Sequence, residues 1–357
     1  MPEASPDIAS ITTAVQLGFI SGTLIFSLLN ISDRFPTGRV FLVSSLLGGL
    51  SNAFITIVHL DLYTLLISRF LTGFFLAGIY PVGVKIAALW FPHNLGHALG
   101  HIVAALVAGT AFPHLINSLD IKLEWQNLII CSSILAAAGG LLVKFLLTEK
   151  SPPKRAIHHQ GKALFNVFKS KHFKSSSLGY FGHMWELYTF WAFVPMILTV
   201  YKQQSEIELN IALWSFLIIA SGAIGCSMGG LFSLKLGSAK IAFYQLSCSA
   251  VCCLIFPFIL SSANVIFLSY LLIWGVTVAG DSPQFSSLNA KTAPPDAVAS
   301  AVTLVICLGF SLTIISMYVF KLLLSNLGLE IAVSLIAIGP LCGLLFLRPL
   351  SNKRPFI

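Results

Sequence analysis

Along most of the chain the apolar residues do not alternate with polar ones. They run unbroken for about 20 residues, the length a helix needs to cross a bilayer. Eleven such runs, separated by short polar breaks, fall at 11–29, 40–58, 62–90, 98–118, 125–147, 179–201, 209–234, 240–260, 264–288, 297–324 and 329–349. Each predicts a spanning helix, because a spanning strand would alternate over roughly 10 residues. One long polar stretch separates the fifth run from the sixth, and its middle, 163–168, reads as a short surface helix. The expected fold class is an all-α polytopic membrane protein.

Two of these runs are interrupted in the same way. Gly73-Phe-Phe-Leu-Ala77-Gly78-Ile79-Tyr80-Pro81 in the third and Gly275-Val-Thr-Val-Ala279-Gly280-Asp281-Ser282-Pro283 in the ninth share the frame G-x3-A-G-x2-P. Matched Gly/Pro-interrupted membrane segments point to the central site of a transporter. Gly78, Pro81, Gly280 and Pro283 are the expected helix breaks. The two copies lie six crossings apart and so run in the same direction, as in a parallel repeat of six helices. With the long loop dividing the repeat, the ninth run is the fourth helix of the second unit. The third run should then be a fourth helix too, so a helix is expected ahead of the first run.

Composition supports the membrane reading: 56% of residues are hydrophobic and only 10% charged, against about 25% in soluble domains. Mean hydropathy is +0.88. The net charge of +8 does not indicate nucleic acid, because the basic residues gather in loops beside helix ends. The long loop holds Lys150, Lys154, Arg155, Lys162, Lys169, Lys171 and Lys174, whereas the opposite side carries only Lys122 and Lys202. Basic loops stay inside, which puts the C-terminus in the cytoplasm and the N-terminus on the outer side. The cysteines show neither a disulfide framework nor zinc spacing, and the short acidic N-terminus is no signal peptide.

Two six-helix halves joined by a long basic cytoplasmic loop resemble the major facilitator superfamily of secondary transporters, over essentially the whole chain. The family signature G-x3-D-R-x-G-R-R is echoed by Leu29-Asn-Ile-Ser-Asp33-Arg34-Phe-Pro-Thr-Gly38-Arg39, with Leu29 in place of the leading Gly and Gly38 two residues late. Its place after the first run again expects a helix in front. Residues 69–85 and 274–287 are similar to poorly characterised bacterial members. The resemblance implies a two-bundle architecture with about 11 of the usual 12 helices: a five-span bundle at 1–149, a cytoplasmic linker at 150–178 and a six-helix bundle at 179–357. It further implies a monomer in the bacterial inner membrane that moves a small organic solute by alternating access, with no cofactor. By family position Asp33, Arg34 and Arg39 form a cytoplasmic gate; a solvated turn is the other reading.

Charged side chains inside a bilayer are costly and mark function by default. Lys85, Glu186 and Asp281 are the candidates, with His183 one turn before Glu186. One reading is a proton-coupling site in which a carboxylate takes up and releases a proton and His183 passes it on. The other is a static salt-bridge cluster. Tyr80, Ser282 and Gln284 beside the two prolines, Arg69 in the outer half of its span and Trp185 in an aromatic-rich span are substrate-cavity candidates. Gly225-Cys-Ser227-Met-Gly229 matches the G-x-S-x-G nucleophile pattern, but that pattern needs a strained strand-to-helix turn, and here it lies in an apolar helix, where small residues serve packing. His93, His97 and His101 share a spacing of four, yet Gly96 and Gly100 read as packing positions and no metal site is expected. The reading is therefore secondary transport and not an enzyme. A truncated non-transporting membrane protein or solute sensor is the alternative, with an intramembrane enzyme behind it.

Overall fold

The computed structural model describes residues 8–58, 61–119, 124–147, 165–295 and 298–351. All eleven apolar runs are helical. In chain order the helices are α1 (Ile8–Leu28), the short α2 (Ile31–Arg34), α3 (Thr37–Phe54), α4 (Leu62–Leu76), α5 (Tyr80–Trp90), α6 (Leu95–Ser118) and α7 (Trp125–Leu146). They continue as α8 (Lys171–Ser205), α9 (Ile211–Leu236), α10 (Ser238–Ile259), α11 (Asn264–Gly280), α12 (Ser282–Thr292), α13 (Val298–Leu327), α14 (Leu329–Ile336) and α15 (Ile338–Ser351). Eight stretches among the described residues are long and apolar enough to cross a membrane, counting α4–α5, α11–α12 and α14–α15 as one each; Thr13–Leu28 is a shorter apolar helix.

Helix starts are set by capping oxygens. The side chains of Asp61, Ser170 and Asn210 accept from the backbone N–H groups of Thr64, Phe173 and Leu213, which would otherwise be left without partners at a helix N-terminus. Ser170 begins α8 well before the apolar run does, so part of the expected linker is helical. Hydropathy misses this turn because Lys171, His172 and Lys174 are polar, yet Phe173, Ser176 and Ser177 are buried. The surface helix expected at 163–168 is a 3-10 turn at Phe165–Lys169, and the linker's first part lies outside the described residues.

Both copies of the repeated frame interrupt their helices, at 77–79 and at Asp281. A third interruption, at Ala337 between α14 and α15, escaped the sequence reading; it precedes Gly339 and Pro340.

The helices pack as two compact units. One comprises Met1–Trp90, Lys122–Phe168 and Ala293–Ser311; the other comprises Phe91–Ile121, Lys169–Thr292 and Leu312–Ile357. This partition does not follow chain order, since α6 groups with α8–α12. In the first unit α1 and α4 meet backbone to backbone: a Cβ at Gly18 would fall on the Phe70 carbonyl, and one at Gly73 on the Val15 carbonyl. In the second, α9 and α11 meet in the same manner through Gly225 on the Val276 carbonyl and Gly275 on the Ile218 carbonyl. Close approach through small residues is how helices associate in lipid, where apolar burial between them supplies little drive.

Candidate functional site

The site grows out of the second break. Pro283 has no N–H, so the carbonyl four residues back loses its helical donor. That carbonyl, of Ala279, accepts instead from the Cys226 thiol at 3.2 Å and from the N–H of Asp281. The chain turns at Asp281 and restarts when the Asp281 carbonyl accepts from the N–H groups of Gln284 and Phe285, both at 3.0 Å. Gln245 holds the other side of the turn, its amide nitrogen 3.1 Å from the Gly225 carbonyl and lying against Gly280.

Asp281 is fully buried. Its Oδ1 lies 2.8 Å from His183 Nδ1, a distance at which the two can pair as ions, although neither Asp281 oxygen accepts an aligned hydrogen bond among the described residues. The imidazole is flanked by the rings of Tyr180 and Phe285, with centroids 6.0 and 5.7 Å away. His183 is buried too, and its Nε2 has no partner among the described residues.

Glu186 lies one turn further along the same face of α8, because residues three apart are neighbours on a helix. Its two oxygens differ sharply. Oε1 accepts from Trp274 Nε1 at 2.7 Å, from Cys253 Sγ at 3.3 Å and from the Ser249 hydroxyl. Oε2 is buried with no partner among the described residues. A buried polar atom without a partner is expensive, and such atoms concentrate where a proton, water or ligand is handled.

Of the four residues expected in the charge cluster, His183, Glu186 and Asp281 thus meet within the second unit. Lys85 lies in the first, where its Nζ donates to the Ser32 carbonyl at 2.5 Å. Arg69 donates to Asn52 Oδ1 at 2.7 Å, and the Asn52 amide donates to Ser132 and Ser133 Oγ at 3.1 and 2.9 Å. This network ties α4 to α3 and α7. Trp185 packs its ring against Gly339 of α15. Ser282 and Gln284 are buried beside Pro283. Gln284 Nε2 donates to the Gly96 carbonyl at 3.4 Å while its Oε1 has no partner among the described residues. Tyr80 is half-buried at the start of α5, and Gly78 lies against Ser44 of α3. Arg34 and Arg39 are exposed, Arg34 with its guanidinium 5.6 Å from the Phe35 ring centroid; the Asp33 side chain lies outside the described residues.

The sequence reading missed Trp274, Ser249, Cys253 and Cys226. Ser249 and Cys253, four apart in an apolar run, were a detectable polar stripe. Nothing in the sequence gives the direction that brings them to Glu186. No group of three or more metal-ligating side chains occurs among the described residues.

The family model described as Major Facilitator Superfamily matches residues 4–317. No curated protein matches the sequence. Among solved structures, the E. coli fucose:proton symporter FucP aligns with a TM-score of 0.76 at 14% identity, covering 97% of this chain and 91% of that one. The human organic anion transporter MFSD10 (TETRAN) aligns at 0.74 and 17%, covering 95% and 82%. A bacterial homologue of the iron transporter ferroportin, in an outward-facing state, aligns at 0.68 and 16%, covering 98% and 92%. At these identities the structures share the fold, and the family is one of transporters, which leaves Gly225, Ser227 and Gly229 as helix packing. With the family model spanning most of its length, this chain belongs to the Major Facilitator Superfamily, a multi-pass membrane protein of transport.

Proposed function

We propose that this protein is a secondary transporter of a small organic solute that works by alternating access and couples its movement to protons through Glu186. The observation that carries the reading is the uneven carboxylate: three donors converge on Oε1 while the buried Oε2 has no partner among the described residues. A carboxylate held in place by one oxygen presents the other for a proton to bind and leave. His183, on the same helical face and paired with Asp281, is the group that hands the proton on. Burying an isolated carboxylate is prohibitive, so exposure of this site to one side and then the other would load and unload the proton. The same reading takes 1–149 and 179–357 as the two bundles that rock, with Asp33, Arg34 and Arg39 as the cytoplasmic gate. It places the chain as a monomer in the bacterial inner membrane with its C-terminus inside.

The test begins with a library of small solutes scanned for thermal stabilisation of the purified protein, since a ligand that binds the folded state raises its melting temperature. The strongest binder is then followed in proteoliposomes. Wild type accumulates it against its gradient when a pH gradient is imposed. Glu186→Gln is expected to exchange labelled for unlabelled solute at an unimpaired rate while accumulating none. Accumulation by the Gln variant equal to wild type would refute the role of Glu186.

A further inference from the structure

We propose that His97 and His101 form a two-histidine binding site for a divalent transition-metal ion near the cytoplasmic end of α6. Both imidazoles project from the same face of the helix, and their Nε2 atoms share a hydrogen bond at 3.2 Å whose proton a metal ion would replace, with rings at 77° and centroids 4.8 Å apart. Histidines four apart on a helix are a recurring way to present two nitrogens to one metal. An ion about 2.0–2.1 Å from each nitrogen would subtend about 100° across this gap, between the octahedral and tetrahedral angles. No rearrangement of the helix is needed.

The backbone keeps this geometry in place. Gly100 lies against the Cys226 carbonyl, and a Cβ at Gly230 would stand 3.2 Å from both the Cα and the carbonyl of His97. This contact with α9 sets the rotation of α6 about its axis, and with it the direction of both histidines. His101 is exposed and His97 half-buried, and the pair lies within the first two turns of the helix, close to where it leaves the apolar run. His93 precedes the helix, on the segment leading into Leu95, and stands outside the pair. Two neutral imidazoles select borderline first-row ions over calcium or magnesium, and copper(II) binds such nitrogen sites most tightly. Water completes the coordination shell.

The test is titration of the purified, tag-free protein in detergent with Cu2+, read by electron paramagnetic resonance. Wild type is expected to bind one ion with hyperfine splitting from two equatorial nitrogens. His97→Gln and His101→Gln should each reduce that pattern to one nitrogen. Each should also weaken binding by at least the about tenfold that even an outer-shell partner is worth. His93→Gln should change neither. Because His101 is exposed, its replacement leaves the fold intact, and a monodisperse elution profile checks this. The proposal is overturned if wild type binds no more tightly than the double variant, or if either single variant keeps the two-nitrogen spectrum.

Discussion

At Ala279 a backbone carbonyl that Pro283 deprives of its helical donor accepts from a cysteine side chain as well as from the N–H of Asp281. Cys226→Ala removes the thiol and leaves the carbonyl with only the N–H of Asp281. A loss of about 0.5–1.5 kcal/mol of stability, the net worth of one hydrogen bond, follows, read as a lower melting temperature in detergent. Cys226→Ser keeps a donor of similar size and should recover most of the loss; equal melting of the Ala and Ser variants would show that the thiol only fills space. Lys85, Glu186 and Asp281 were legible in the sequence, because an ionisable group in an apolar run stands out against its neighbours. Their partners were not. Trp274, Ser249 and Cys253 are ordinary residues of membrane helices, and only the rotation of α10 and α11 turns them towards Glu186.

The repeated frame gives two elements the same packing. Gly73 admits the Val15 carbonyl of α1, and Gly275 admits the Ile218 carbonyl of α9. Gly78 lies against Ser44 of α3, and Gly280 against Gln245 of α10. So α1, α3 and α4–α5 correspond to α9, α10 and α11–α12, and the shared letters are those where a side chain would strike a neighbour. Gly275→Leu, placed against the Ile218 carbonyl, should destabilise by about 1–3 kcal/mol or more, as overpacking does. Gly109→Ala on α6, with nothing within 4 Å, should leave the melting temperature unchanged or raise it, since alanine favours a helix by about 0.5–1 kcal/mol. Equal melting of the two variants would remove packing as the reason for the frame. The limits of α8 and the break between α14 and α15 were illegible because hydropathy averages over a window. A serine cap or a single residue out of helical geometry vanishes in that average.

Over the whole molecule, the distribution of lysine and arginine predicts orientation. A cysteine at Gln203, beyond the outer end of the apolar run in α8, should react with a membrane-impermeant thiol reagent added to intact cells. One at Lys235, at the end of α9, should react only after lysis. The reverse pattern would invert the topology. The fold class, the helical runs, the paired interruptions and the family resemblance all followed from sequence, because lipid forces each crossing to be a long apolar segment that satisfies its own backbone. That constraint is local, so a one-dimensional reading suffices for it. Which helices share a unit was decided by tertiary packing: α6 groups with α8–α12, and α13 passes from one unit to the other after Ser311. So were the His183–Asp281 pair and the oxygen of Glu186 that has no partner among the described residues. Each of these depends on how a helix is turned about its own axis. That angle is set by where glycines let another helix approach, and hydropathy carries no record of it.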